Sequence, residues 1–260
     1  MTTQHNFPAV FVSHGAPDIL LSRNAAVEAM QQLVALLPAP VAIVVISAHW
    51  IEQPVKITNA AKLDTIHDFG GFPAQLYAKR YPASGDATVS TRIQQLLTQH
   101  GIDCKLDPRR GLDHGAWIPL IIMYPQANIP VIQVSLPAGS LHDLVTLGEA
   151  LSPLRKEGVL IIGSGGSVHN LRALNRAGKT EAWASEFEQW LLTVIEGNQF
   201  DHLINPEHFP PTIGQAHPTL EHYAPLIVAW AAADRHQPGR RQHHSFDYGN
   251  IGMSHYLFGA

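Results

Sequence analysis

The amino-acid sequence predicts an α/β protein, with a mainly parallel central sheet flanked by helices. Residues 41–50, VAIVVISAHW, form an apolar and mostly β-branched run, which is typical of a strand buried on both faces. Other strand-like runs alternate with segments of helical periodicity, the pattern of a parallel sheet covered on both sides. No internal repeat or linker interrupts the chain, so we expect a single catalytic domain over residues 1–260.

Five short apolar segments between turn-forming residues are predicted as strands. In chain order they lie at residues 8–13, 41–50, 102–106, 130–136 and 159–162. The tail after Gly239 is expected to add one or two strands at an edge of the sheet.

Helices are predicted where apolar residues recur every three or four positions. The first is capped by Asn24 and ends before Pro38, and Pro73 suits the first position of a short helix. The remaining helices are placed at residues 87–99, after Trp117, from Leu144 to Leu154, from Phe187 to Val194 and from residue 219 onward.

Composition excludes several classes of function. A net charge of -4 provides no basic surface for nucleic acid or an anionic membrane. The sequence has neither the pattern of a signal peptide nor an apolar run of the ~20 residues that a membrane span needs, so we expect a cytoplasmic protein. The single cysteine, Cys104, rules out a disulfide framework and a thiolate metal cluster, whereas histidine occurs 16 times.

Three of the strand-like runs lead into a histidine, namely His14, His49 and His169. The carboxyl ends of parallel strands meet at one edge of a sheet, where open α/β proteins bind their ligands. One such histidine is equally well explained by a hydrogen bond to a loop carbonyl. Three together predict a site for one divalent metal ion, because imidazole is the commonest metal ligand.

The segment TLEHY at residues 219–223 adds His222 as a further ligand candidate. The neighbouring Glu221 is expected to complement the N-terminus of the last helix rather than to bind metal. The run Gly163 to Ser167 lacks the lysine of a phosphate-binding loop and the first glycine of a nucleophile elbow. We expect its glycines to turn the chain tightly, so that His169 points into the site.

Two glycine-bearing segments are candidates for substrate contacts, since loops over the sheet edge commonly supply them. One is TIHDFGGFP at residues 65–73, with His67 and Phe72. The other is the irregular segment at residues 111–117, with His114 and Trp117. A turn or capping role is the alternative for both histidines.

Neutral imidazole ligands suit either Zn(II) or Fe(II). Zn(II) with a bound water would indicate hydrolysis, and Fe(II) with open positions would indicate oxygen chemistry. The ligand types leave both metals open.

Six motifs together resemble one family, the 4,5-DOPA dioxygenase extradiol branch of the LigB superfamily of ring-cleaving dioxygenases. They are HG at 14–15, SAHW at 47–50, TIHDFGGFP at 65–73, DHGAW at 113–117, VHNLR at 168–172 and TLEHYAPL at 219–226. The resemblance spans nearly the whole chain and implies an α/β fold with the metal at the carboxyl edge of the sheet.

The resemblance also implies site roles. His14, His49 and His222 match metal ligands, His169 matches a further ligand or a catalytic base, and His114 matches a histidine that contacts substrate and transfers protons. The implied reaction uses Fe(II) and O2 to open the ring of a catechol such as L-DOPA beside its two hydroxyls, giving a semialdehyde. Zn(II) is expected to occupy the site on purification, because it outcompetes Fe(II) for nitrogen ligands. A zinc hydrolase and a non-catalytic binding protein on the same scaffold are the alternative functions.

Overall fold

One eight-stranded sheet forms the centre of the computed structural model, which describes residues 6–260. The strands are β1 (Ala9–Ser13), β2 (Ala42–Glu52), β3 (Val55–Thr58), β4 (Cys104–Asp107), β5 (Val131–Pro137), β6 (Val159–Gly165), β7 (Arg240–His243), β8 (Phe246–Asp247), β9 (Ile251–Gly252) and β10 (His255–Phe258). The order across the large sheet is β4-β3-β5-β2-β6-β1-β10-β7, and β8 pairs with β9 in a separate small sheet. Strands β5, β2, β6 and β1 run parallel, which confirms the predicted fold class.

Helices cover both faces of this sheet. They are α1 (Ala25–Val34), α2 (Ala74–Tyr77), α3 (Ala87–Gln99), α4 (His114–Met123), α5 (Leu141–Leu151), α6 (Ala182–Glu196), α7 (Ile213–Ala216) and α8 (Ala224–Ala233). The Asn24 side chain caps α1 as predicted, accepting a hydrogen bond from the Val27 amide at 2.9 Å. No helix within residues 6–260 is both long enough and apolar enough to cross a membrane.

The apolar run in β2 is long because both of its faces are buried. Val44 and Ile46 pack into the cluster formed with α3, α5, α6 and α8, whereas Ile43 and Val45 pack into the cluster formed with α1 and α4. Successive side chains of a strand point to opposite faces, so a strand between two helical layers needs apolar residues at every position.

Some predicted elements differ from the structure. β2 continues to Glu52, so His49 lies inside the strand, beyond its last pairing with β6 at Ser47. β3 lies in a region predicted as a turn-rich connection, because four residues are too few to show a periodicity. The tail adds β10 and β7 at the β1 side of the large sheet, as expected, and also forms the small β8–β9 sheet.

The two glycines of β6 make room for the chain that approaches α8. A Cβ on Gly163 would overlap the Pro225 carbonyl oxygen, and a Cβ on Gly165 would overlap that of His222. Both glycines lie within the strand and neither has a positive φ, so the expected tight turn was wrong. Their function is close approach between backbones, which allows His222 to lie over the end of the strand.

This close approach predicts a loss of stability when a methyl group is added. Gly163→Ala should lower the free energy of unfolding by about 1–3 kcal/mol, the usual effect of overpacking a filled interior. Gly214→Ala is the matched control, because nothing lies within 4 Å of a Cβ added there. Urea unfolding in the presence of a chelator measures both variants, and equal midpoints would contradict the packing argument.

Candidate metal centre

Three histidines from distant parts of the chain meet at the carboxyl edge of the sheet. His14 directly follows β1, His49 lies near the end of β2, and His222 lies in the turn before α8. The Nε2 atoms of His14 and His49 are 3.1 Å apart. One ring nitrogen from each of the three histidines lies within 4.8 Å of the others, a spacing that a single metal ion can bridge.

Ser164 on β6 fixes the orientation and the tautomer of His14. The Ser164 hydroxyl donates to the Gly115 carbonyl oxygen at 2.5 Å, so its oxygen accepts the hydrogen bond from His14 Nδ1 at 2.9 Å. Because Nδ1 carries the proton, Nε2 of His14 retains its lone pair for a metal ion.

Glu221 acts on His222 in the same way. The carboxylate can only accept, so His222 Nδ1 donates to Glu221 Oε1 at 3.2 Å and Nε2 is left unprotonated. This Nε2 is buried and has no hydrogen-bond partner within the described residues. A buried polar atom without a partner is costly, and its position beside two other free imidazole nitrogens fits a bound metal ion.

The Glu221 carboxylate does not contact the N-terminus of the last helix, although the sequence predicted that it would. Helix α8 begins at Ala224, and the Glu221 carboxylate contacts Thr219 Oγ1 and His222 Nδ1 instead of the helix N-terminus. The hydrogen bond from His222 is the main cause that lowers the pKa of Glu221 to about 2.

The surroundings of the three histidines favour their neutral form by lowering the pKa of each. Burial lowers the pKa of His14, His49 and His222, that of His49 to about 2. The neighbouring imidazoles lower the pKa of His14 and His49 further. Three neutral nitrogen donors without a thiolate fit Zn(II) or Fe(II), as the residue types suggested.

His169 lies in the loop after β6 and stacks flat on His222. The ring centroids are 3.4 Å apart and the planes differ by 7°. Its ring nitrogen groups with Glu221 and His222 rather than with His14 and His49. Burial, followed by the nearby His222, lowers the pKa of His169 to about 3. Whether it ligates the metal or acts as a base stays a prediction.

His114 is the first residue of α4, in a segment predicted to be irregular as far as Trp117. Its Nδ1 and its backbone amide both donate to Asp68 Oδ1 at 2.9 Å. Burial raises the pKa of Asp68, but the hydrogen bonds from His114 outweigh that effect and bring it to about 2. The His114 and His49 rings are 3.9 Å apart, so a histidine–aspartate pair borders the triad.

Asp113 fixes the start of α4, the helix that begins with His114. Its buried carboxylate caps α4 through the Ala116 amide at 3.2 Å and accepts hydrogen bonds from Ser47 Oγ at 2.7 Å and Gln133 Nε2 at 2.5 Å. These contacts tie the start of α4 to β2 and β5. Asp113 therefore lies outside the imidazole cluster and fixes the position of His114.

Aromatic side chains of the 65–73 loop line one side of the site. Phe69 packs edge-to-face on His114 with ring centroids 5.7 Å apart, and His67 and Phe72 pack on Phe69 at 5.7 and 5.6 Å. Trp117 is fully buried, and its indole N–H donates to the Ile66 carbonyl at 2.8 Å. Trp117 thus holds the loop, while Phe69 reaches a site histidine.

The contacts missed in the sequence are those between residues far apart in the chain. Asp68 stands 46 positions before His114, and Ser164 stands 150 positions after His14. Asp68 is recognisable in the sequence as the acid beside His67, but nothing there indicates its pairing with His114. Ser164 gave no comparable indication, because a serine within a buried strand is an ordinary structural residue.

A comparison with known proteins identifies the family to which the chain belongs. Residues 8–259 match the family model described as the catalytic LigB subunit of aromatic ring-opening dioxygenase. The chain belongs to the LigB family. It is 38% identical over 257 residues to the 4,5-DOPA dioxygenase extradiol of Beta vulgaris, a match that covers 95% of each chain. It is 37% identical to the enzyme of the same name from Escherichia coli K12, over 95% of this chain and 92% of that one.

A solved structure shows the same LigB architecture. An uncharacterised protein from Escherichia coli K12 superimposes with a TM-score of 0.80 at 30% identity, covering 97% of this chain and 100% of that one. The resemblance seen in the six motifs is confirmed. This LigB protein is an extradiol-type dioxygenase, which uses O2 and a small molecule and whose family implies a metal.

We expect metal binding to depend on each of the three clustered histidines. His14→Ala, His49→Ala and His222→Ala should each lose the single divalent metal ion, because each removes one of three converging nitrogens. His142→Ala is the control, since His142 is exposed on α5. Elemental analysis measures metal occupancy, and full occupancy in the three variants would show that these histidines do not bind the metal ion.

Proposed function

We propose that this LigB protein is an Fe(II)-dependent extradiol dioxygenase that opens the ring of a catechol such as L-DOPA at the 4,5 position, giving a seco-DOPA semialdehyde. The main support is the convergence of His14, His49 and His222, with the unpartnered buried Nε2 of His222. The names of the relatives from Beta vulgaris and Escherichia coli support the substrate class.

In this proposal the imidazoles of His14, His49 and His222 would hold the iron. Bound Fe(II) would supply the one-electron chemistry that lets O2 react with the aromatic ring. The protein contributes the surroundings of the site: burial favours the neutral imidazoles, and Phe69 packs an apolar ring on His114.

His114 is the proposed proton carrier. Asp68 holds the proton on Nδ1, so Nε2 can accept a proton from a catechol hydroxyl and return it as the ring opens. The Asp68 carboxylate stabilises the imidazolium formed in between. His169, stacked on His222, is the second candidate for acid–base chemistry or for ligation.

The acid–base roles give a kinetic prediction. His114→Ala should lower kcat by roughly 10²–10⁴-fold while metal content and catechol binding change little. Asp68→Asn should lower kcat in the same direction with an intact His114 ring. Stopped-flow turnover and calorimetric binding separate the two effects, and unchanged kcat would assign both residues to structure.

His169→Ala needs its own measurement, because the outcome assigns its role. If turnover falls and the metal is retained, His169 acts as a base. Loss of the metal by elemental analysis would instead make it a ligand.

Analysis of the product tests the proposed reaction. Protein loaded anaerobically with Fe(II) and mixed with L-DOPA should, on admission of air, give a yellow product that contains both atoms of O2. Zn(II) should support binding without turnover, because it has no redox chemistry. A diacid from cleavage between the hydroxyls, or full activity with Zn(II) and no O2 uptake as in a zinc hydrolase, would contradict the proposal.

A further inference from the structure

Helix α6 carries a buried carboxylate that no step of the proposed reaction uses. The side chain of Glu188 is only 1% exposed. A carboxylate removed from water is costly to bury, and only good hydrogen bonds or an opposite charge offset that cost. Burial accordingly raises the pKa of Glu188, and hydrogen bonds from Ser167 and Ser254 oppose this effect. What this side chain contributes depends on the groups that these bonds hold.

Two serine hydroxyls hold the carboxylate. The Ser167 hydroxyl donates to Glu188 Oε1, and the Ser254 hydroxyl donates to Oε2 at 2.7 Å. His244 Nδ1 lies 3.5 Å from Oε2, but burial lowers the pKa of His244 and favours its neutral ring. Glu188 is thus held mainly by hydroxyl groups from two other segments of the chain.

Four segments of the chain meet at Ser167. Its amide donates to Ser13 Oγ at 3.0 Å, and its carbonyl oxygen accepts from His217 Nε2 at 3.0 Å. Its hydroxyl donates to Glu188, and the hydroxyl oxygen accepts from the Ser254 amide at 3.1 Å. Each polar group of Ser167 therefore fixes the position of a different part of the chain.

Three of the segments joined here also carry site histidines a few residues further along the chain. They are His14 after Ser13, His169 after Ser167 and His222 after His217. A shift of Ser167 would therefore change the spacing of these histidines.

Backbone hydrogen bonds on either side of Ser167 transmit such a shift. The Gly166 amide donates to the His222 carbonyl oxygen at 3.0 Å, and the His169 amide donates to the Ala216 carbonyl oxygen at 2.9 Å. Residues 166–169 and 216–222 are thus joined side by side. The place of Ser167 between the two bonds couples its position to the stacking of His169 on His222.

We propose that Glu188 is a positioning residue for the metal centre. Through the Ser167 hydroxyl, it sets the spacing between the segments that carry His14, His169 and His222. Glu188 itself contacts neither the metal ion nor the substrate. The inference rests on the proposed metal-dependent function and adds a residue of α6 on which metal affinity depends.

Glu188→Leu removes the carboxylate and keeps a side chain of similar volume. The dissociation constant for Zn(II), measured by competition with a chromophoric chelator, should rise about tenfold, the lower end of the effect of residues that orient metal ligands. Glu188→Gln should lie between the variant and the wild type, because the amide oxygen can still accept from Ser167. Equal constants in all three proteins would overturn the inference.

Two serine variants separate positioning from stability. Ser167→Ala and Ser254→Ala each remove one hydroxyl that donates to the same carboxylate. Ser167→Ala should weaken Zn(II) binding about as much as Glu188→Leu. Ser254→Ala should leave it near the wild-type value even where urea unfolding shows lower stability, because its segment carries none of the clustered histidines. Equal weakening by both would assign Glu188 to stability alone.

The double variant Glu188→Leu/Ser167→Ala tests the route of the effect. Both single variants break the same hydrogen bond, so the double variant should bind Zn(II) no more weakly than either one. Effects that multiply would exclude Ser167 as the connection. If Glu188→Leu does not fold, Glu188→Gln replaces it in this comparison.

Ring signals of ¹³C-labelled histidines give a readout that needs no turnover. In spectra of the Zn(II)-loaded and of the metal-free protein, Glu188→Leu should shift the signals of His169 and His222, because stacked rings affect each other strongly. The signal of His142, which is exposed on α5, should not move. His169→Gln and His222→Gln assign the two signals.

These measurements distinguish the two possible failures. Wild-type protein that opens no catechol ring, but whose ring signals and Zn(II) affinity respond to Glu188→Leu, would defeat the proposed function alone. Ring opening by the wild type, with ring signals and Zn(II) affinity unchanged in the variant, would defeat the inference alone.

Discussion

The site depends on the position of β6 between β1 and β2 in one parallel sheet. This arrangement brings the residues after β1 and near the end of β2 to the same edge, which places His14 beside His49. β6 itself provides Ser164, which orients His14, and the glycines that admit the chain carrying His222. One strand thus helps to position two clustered histidines, His14 and His222, that lie more than 200 residues apart in the chain.

Three of the site histidines have a hydrogen-bond partner on the ring nitrogen that faces away from the centre. His14 donates to a serine hydroxyl, while His222 and His114 donate to carboxylates. A carboxylate partner increases the basicity of an imidazole more than a hydroxyl does, because it stabilises positive charge on the ring. The type of partner alone therefore does not separate these side chains, since His222 and His114 both pair with a carboxylate. They differ in position: His222 groups with His14 and His49, whereas His114 groups with Asp68 and His49.

Much of this arrangement could be predicted from the sequence. The run of residues 41–50 revealed a strand buried on both faces, and the histidines after such runs revealed the edge at which a ligand binds. His14, His49 and His222 meet there, whereas His169 is stacked on His222 and keeps two interpretations. The start of α4 at His114 was not predicted, although its cap is local: the Asp113 side chain accepts from the Ala116 amide.

The hydrogen-bond partners of the imidazoles were harder to predict from the sequence, because hydrogen bonds between distant segments leave no periodic pattern. The glycines of β6 were noticed but were explained by local chain reversal. Their actual reason is the neighbouring backbone at Pro225 and His222, which a single sequence does not reveal. Local sequence patterns thus predicted the helices and strands and the sheet edge that carries the site. The histidine tautomers and the spacing of the histidines depend on packing between distant segments.

The glycines in β6 lower the stability of the strand but leave space for the chain that packs on it. A glycine inside a strand weakens it by roughly 0.5–1 kcal/mol relative to alanine, since the unfolded chain gains conformational freedom. At Gly165 the alternative is a side chain that would displace the His222 carbonyl. β6 therefore gives up part of its intrinsic strand preference, and the segments packed on it offset that loss. Stability and ligand placement are coupled at this point, so selection for either one constrains the other.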